Sequence, residues 1–274
     1  MDILHSILPS IESSEKMPVL FVGHGSPMYA IEENKYVAQF RKIGQQMPIP
    51  KAILCISAHW ETHGTQVTAM ENPKTIHDFG GFPPALYQVE YPAAGSPSLA
   101  HQTQQLITKT EVELDHKWGL DHGCWSVLKH IYPKANIPVV QLSLDYSKTA
   151  QSHFEIAKEL VSLRHKGVLI VGSGNIIHNL RMIAWDKMNV EGFGFDWAIE
   201  ANEKMKAYIL QNDFQSLINY KTQGKAFELA IPSPEHYLPL LYSLALKDDT
   251  DSLQLFNDDY VAGSLAMTSV LIGA

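Results

Sequence analysis

The sequence predicts an α/β domain built on a mainly parallel sheet. Three observations carry that prediction: short unbroken apolar runs that read as buried strands, helix-period stretches between them, and linkers of only a few residues. Strands buried on both faces lack the alternation of a half-exposed sheet, which is why parallel strands read as continuous apolar runs. At 274 residues the chain suits one large α/β unit. Residues 17–274 are therefore expected to form a single domain behind an extension over 1–16.

The extension holds a short apolar patch broken by His5 and Pro9, with Asp2 where a signal peptide would carry basic residues. It reads as irregular or helical, on a cytoplasmic protein. The run 17–22 is a strand, cut off by Gly23-His24-Gly25-Ser26-Pro27. Helical spacing over 34–47 and a second buried strand over 51–57 complete a βαβ unit. Residues 71–98 contain Pro73, Gly80, Gly81, Pro83, Pro84, Pro92, Gly95 and Pro97, leaving room for a turn or two. A loop this long in a compact domain is usually functional. Beyond it the pattern predicts a helix over 98–108, a short strand near Val112, a helix over 124–132 and a strand over 137–144. A long amphipathic helix over 149–164 and a strand over 167–171, ending in Gly172-Ser173-Gly174, continue the alternation. Residues 195–230 read as helical with a break at Gly224. Ser233 is placed as an N-cap with Pro234 at the first helical position, leading into a helix over 237–246. A last strand pair covers 253–256 and 266–272, and no internal repeat is visible.

Composition removes several function classes. Against 21 Lys and Arg stand 29 Asp and Glu, a formal charge of −8, the opposite of a nucleic-acid binder's electrostatic footprint. No apolar run approaches the ~20 residues of a membrane span. Two cysteines, Cys55 and Cys124, are too few for a disulfide framework and fit a reducing compartment. The 13 histidines are the compositional feature with chemical content, since neutral imidazole is the commonest metal ligand and also a proton shuttle near neutral pH.

Their placement gives the count its meaning. In open α/β sheets the working groups gather beyond the carboxyl ends of the strands. His24, His59 and His178 each follow a predicted strand, and His122 and His236 fall in comparable loops. A helix N-terminus disfavours the imidazolium cation, so His236 is expected to stay neutral, as a metal ligand must. Gly23, Gly25 and Gly123 allow close backbone approach. His63, His101, His116, His130, His153 and His165 have no strand-end position, and exposure is expected for most. His77, just before Asp78-Phe79-Gly80-Gly81-Phe82-Pro83, is a candidate to close over the site. Several imidazoles with open positions suit zinc, iron or copper, and spacing does not choose among them. A zinc hydrolase of an amide or ester, with His178 or Glu235 as base, is the alternative enzyme class. A non-catalytic metal-binding protein is a third.

Six short motifs in order resemble a known family. They are Gly23-His24-Gly25-Ser26-Pro27, Ser57-Ala58-His59-Trp60, Phe79-Gly80-Gly81-Phe82-Pro83 with Leu86-Tyr87 and Tyr91-Pro92-Ala93, Leu120-Asp121-His122-Gly123 with Trp125 and Leu128, His178-Asn179-Leu180, and Pro234-Glu235-His236 with Pro239-Leu240-Leu241. The chain from Pro18 onward is similar to the LigB-type (class III) extradiol ring-cleaving dioxygenases, and within them to the DOPA 4,5-dioxygenase group. The resemblance implies a single three-layer α/β/α catalytic domain with a mixed, mainly parallel central sheet. It implies a metal held by His24, His59 and His236, with His178 a fourth ligand or the acid/base neighbour. Fe(II) would serve activity and Zn(II) could occupy the site. The substrates implied are O2 and a small DOPA-like catechol, opened beside the diol to a muconic semialdehyde. His122 and His178 are then the candidates for proton transfer. Phe79, Phe82, Tyr87 and Tyr91 would wall the ring, with Phe82, Tyr87 and His122 as substrate contacts. Two departures stand out: the third ligand position reads as His236 rather than a carboxylate, with Glu235 adjacent, and Cys124 stands where Thr is expected.

Overall fold

The structure, a computed structural model, describes residues 16–188 and 190–273, so the expected extension lies outside the described residues apart from Lys16. Chain order begins with β1 (Val19–Gly23), α1 (Lys35–Gln46), β2 (Ala52–Thr62) and β3 (Thr65–Thr68). After the long loop come α2 (Pro97–Leu106), β4 (Val112–Asp115), α3 (His122–Ile131), β5 (Val139–Asp145), α4 (Ala150–Lys158), α5 (Val161–Arg164) and β6 (Val168–Gly174). The last third holds α6 (Asp196–Leu210), α7 (Phe214–Ile218), α8 (Lys225–Ala230), α9 (Leu238–Ala245), β7 (Leu253–Phe256), β8 (Tyr260–Val261), β9 (Leu265–Ala266) and β10 (Ser269–Ile272). Several helices begin where a side-chain oxygen satisfies a free N–H: Asn34 caps α1, Ser96 caps α2 ahead of Pro97, Asp121 caps α3 and Thr149 caps α4.

Eight strands form one sheet in the order β4-β3-β5-β2-β6-β1-β10-β7. Its middle, β5-β2-β6-β1, is parallel throughout. β10 and β7 extend it antiparallel on one side, and β3 joins β5 antiparallel on the other. The sheet is thus mixed and mainly parallel. Alternate residues along each strand enter opposite cores, as a two-residue period requires. Val19, Phe21, Leu54, Ile56 and Ile170 pack under α2 and α4 to α9; Leu20, Val22, Ile53, Cys55 and Val171 pack under α1 and α3. Two cores on one sheet make three layers.

Several expectations change. β3 was not expected; it is four residues long, below what periodicity can resolve. The helix over 149–164 divides at Glu159 and Leu160 into α4 and α5. The helical stretch 195–230 breaks at Asn212, with φ 57°, as well as at Gly224, with φ 96°. Ser233 caps no helix. Residues 233–237 form a turn in which the N–H groups of Tyr237 and Leu238 both donate to the Pro234 carbonyl at 2.9 Å, and α9 starts at Leu238. Its early proline is Pro239, placed where a missing N–H costs nothing. His130 and His153 are buried, not exposed. His153 meets the Tyr242 hydroxyl at 3.0 Å and the Asp145 carbonyl at 3.2 Å, and His130 meets the Tyr29 carbonyl at 2.8 Å. His63, His101, His116 and His165 are exposed.

Candidate active site

β2, β6 and β1 are adjacent and parallel, so their carboxyl ends open on one side of the molecule. His24 directly follows β1, His59 lies near the end of β2, and His178 follows β6. β2 shifts register against β5 between Ile56 and Glu61. His59 sits in that irregular stretch, where a bulge re-aims a side chain. His236 arrives from the turn before α9. Its carbonyl accepts the Asn175 N–H at 2.9 Å, and Gly174 makes room for it, since a Cβ there would stand 2.1 Å from the His236 oxygen.

His122 opens α3. Asp121 is fully buried and accepts from the Cys124 N–H at 3.1 Å, Ser57 Oγ at 2.6 Å and Gln141 Nε2 at 2.6 Å. Burial first, then the Asp78 charge, pushes its carboxyl pKa up. Gly123 lets this helix end press against β2: a Cβ would fall 2.4 Å from Ser57 Oγ and 2.8 Å from His59 Cδ2.

All five strand-end histidines converge. Ring centres of His24, His59 and His236 form a nearly equilateral triangle with sides of 5.0, 5.0 and 5.2 Å. His122 is 3.8 Å from His59 and 5.7 Å from His24. His178 lies parallel to His236, 3.5 Å away with 8° between the planes. Ligand-capable atoms within 4.8 Å of one another fall into two groups, His24 with His59 and His122, and His178 with Glu235 and His236; the triangle spans both.

Hydrogen bonds fix which ring nitrogens face inward. Ser173 Oγ donates its single proton to the Gly123 carbonyl at 2.6 Å, so it accepts from His24 Nδ1 at 3.0 Å. His24 Nε2 is left bare, 3.2 Å from His59 Nε2. Asp78 Oδ2 lies 3.5 Å from His59 Nδ1, and Glu235 Oε1 lies 3.2 Å from His236 Nδ1. Burial pulls the pKa values of His24 and His236 well below the ordinary imidazole value, with further lowering from the surrounding histidines. For His59 burial and then His122 lower it to about 3. His178 falls to about 4 through burial, against an opposing pull from Glu235. His236 thus has the expected direction of shift, but from burial rather than from a helix N-terminus.

The long loop supplies the remaining wall. Ile76 N–H donates to the Leu120 carbonyl at 2.7 Å and Trp125 Nε1 donates to the Ile76 carbonyl at 2.8 Å. Phe79 stands 5.5 Å edge-on to His122, with Phe82 and Tyr87 packed on it at 5.4 and 5.2 Å. Tyr91 does not reach the site; it is buried with its hydroxyl on the Tyr132 carbonyl. His77 bonds the Val89 carbonyl at 2.9 Å and braces the loop rather than closing over the histidines. Its neighbour Asp78, to which sequence reasoning gave no role, is the residue that meets them. The only signal for it is an acidic side chain inside a Gly/Pro/aromatic loop.

Residues 18–252 match the family model described as the catalytic LigB subunit of aromatic ring-opening dioxygenase. The chain belongs to the LigB family. An Escherichia coli protein named 4,5-DOPA dioxygenase extradiol is 47% identical over 96% of this chain and 97% of its own. Proteins of the same name from Mirabilis jalapa and Beta vulgaris are each 34% identical, over 89% and 91% of this chain and 92% and 94% of theirs. The crystal structure of an uncharacterized Escherichia coli protein superposes with a TM-score of 0.81 at 42% identity, covering 94% of this chain and 100% of that one. This LigB protein is a metal-dependent extradiol ring-opening dioxygenase, and the zinc-hydrolase alternative finds no support. Among the described residues no helix is long and apolar enough to cross a membrane.

Proposed function

We propose that the protein opens DOPA-like catechols with O2 at a ferrous ion held by His24, His59 and His236. The ring triangle carries this reading. With a metal–nitrogen bond of about 2.0–2.1 Å and the ring centre about 1.1 Å beyond, three imidazoles on a tetrahedral ion have centres about 5.2 Å apart; at right angles, about 4.5 Å. Sides of 5.0–5.2 Å fit that range. His59 and His122 at 3.8 Å do not. His178 and His236 stack in parallel 3.5 Å apart instead of converging on one point, so His178 would act beside the ion and not as a fourth ligand. Glu235 then serves to orient His236. Imidazoles that stay neutral at pH 7 need no proton displaced before binding.

Zn(II) has no redox chemistry and would fill the same triangle without turnover. Bound Fe(II) supplies the electron transfer that lets O2 react with the ring carbon beside the diol. The chain supplies the rest. His178, neutral at pH 7, accepts a catechol hydroxyl proton. His122 keeps Nδ1–H on Asp78, leaving Nε2 to take or return a proton at the substrate. Phe79 with Phe82 and Tyr87 stacks along the aromatic ring and keeps water from it. The DOPA type of catechol follows the names of the relatives. One catalytic domain over 17–274 and a cytoplasmic location accompany this reading, with Cys55 and Cys124 buried and unbridged.

Anaerobically Fe(II)-loaded protein should consume O2 with DOPA or catechol and form a yellow product. Absence of turnover across a broad catechol panel, with iron occupancy confirmed, overturns the proposal.

A further inference from the structure

We infer that Asp78 is a positioning residue that sets the ring tautomer of His122, tying the glycine-rich loop to the edge of the metal triangle. The inference rests on the metal-centre reading above. Its basis is one carboxylate that takes two hydrogen bonds from a single residue. Asp78 Oδ1 accepts the His122 backbone N–H at 2.8 Å, and Oδ2 lies 2.8 Å from His122 Nδ1 and 3.5 Å from His59 Nδ1. An ionised carboxylate only accepts, so His122 Nδ1, 2.8 Å from it, must carry the proton, and His122 Nε2 is left bare and free to exchange a proton.

The location of Asp78 explains how the loop reports to the metal. The backbone N–H it accepts belongs to the first residue of α3, one of the donors a helix leaves unsatisfied, where negative charge is also favoured. The loop segment before it is held by the paired Thr75 and Leu120 and by Trp125. Phe79, next in sequence, is the aromatic residue against His122. Carboxylate partners of metal-bound histidines fix tautomer and ring orientation, and their loss costs about 10–100-fold in metal affinity or activity. Here such a group holds the proton-transfer residue, with its charge 3.5 Å from the neighbouring His59 ring.

Asp78→Asn separates this role from simple loop bracing, because it keeps the shape and replaces one acceptor by an amide donor. If the amide oxygen keeps the His122 backbone N–H, the NH2 faces His122 Nδ1, which must accept and send its proton to Nε2. Long-range proton–nitrogen correlation spectra of metal-free, histidine-labelled protein read these tautomers directly. The wild type should show His122 as the Nδ1–H form. Asp78→Asn should show His122 as Nε2–H and bind Zn(II) about 10–100-fold more weakly in chelator competition. An Nε2–H form for His122 in the wild type overturns the inference, even if the variant does not fold. So does a folded variant with unchanged tautomers and zinc affinity. Neither readout uses turnover, so failure of the wild type to consume O2 counts against the dioxygenase reading while these measurements still decide the role of Asp78.

Discussion

His178 and His236 lie in face-to-face contact, and under the proposed function that contact would divide binding from proton transfer. His24, His59 and His236 would hold the ion, and His178, stacked on His236, would handle a substrate proton. Replacing His24 or His59 by Ala should therefore abolish stoichiometric metal, measured by elemental analysis of the purified protein. His178→Ala should keep its metal and lose about 10²–10⁴-fold in kcat, the usual worth of a positioned acid or base. Full metal retention in both His24→Ala and His59→Ala would refute the ligand set. Of the proposed ligands, His236 sits in the turn before α9, whereas His24 and His59 were legible in sequence because each lies at the end of an apolar run that reads as a buried strand. Their orienting partners were not. Ser173 is 149 positions from His24, and Asp78 is 44 from His122; no local pattern links such pairs. His153 escaped for a related reason: its burial depends on Tyr242, reached only when α4 packs on α9.

Elements place these side chains, and α3 is the one with least tolerance. Its first turn is pinned by Asp121, Asp78 and the close approach of Gly123 to β2. In Gly123→Ala the new methyl would overlap Ser57 Oγ and the edge of the His59 ring. Overpacking of this kind costs about 1–3 kcal/mol, and here it would also spread His59 from His122. Urea denaturation should show that loss together with weakened metal binding; an unchanged midpoint and affinity would mean α3 moves freely. The loop makes a different prediction. Phe79→Ala removes the centre of an aromatic cluster without touching a ligand, so catechol KM should rise several-fold while metal content stays stoichiometric. At this scale the βαβ alternation was readable, since buried parallel strands and amphipathic helices have distinct periods. The start of α9 was not: Ser233-Pro234-Glu235 and Tyr237-Leu238-Pro239 both suit a helix start, and the choice falls to the packing of Pro239 on Gly172 and of His236 on Gly174.

For the molecule as a whole, gathering five imidazoles at one end of the sheet and burying others has a consequence for stability. In the metal-free protein His24, His59, His178 and His236 are all held below the ordinary pKa of 6.5 by burial. His153, far from the metal triangle, is lowered to about 4 by the same cause. Well above pH 6.5 neither the folded nor the unfolded chain binds protons at these rings, and they contribute no pH dependence. As pH falls below 6.5 the unfolded chain takes up protons that the folded chain refuses, so stability declines, down to about 4 for His178 and His153 and about 3 for His59. Carboxylates act in a lower window. Asp251, paired with the buried Arg164 at 2.6 Å, and Asp78 both have net depressed pKa values, their hydrogen-bonded and charged partners outweighing the opposing effect of burial. Their stabilisation is complete above the unfolded value near 4 and is lost as pH falls through the folded values. Metal-free protein should accordingly show a Tm that drops between pH 6.5 and 4 and drops further below 4. Metal-loaded protein should resist the first decline, because an ion bound only to the folded state adds stability until protons displace it. A Tm for the metal-free protein that is flat from pH 7 to pH 5 would mean that the clustered rings are not held neutral by burial, and with that the preorganised neutral donor set would fall.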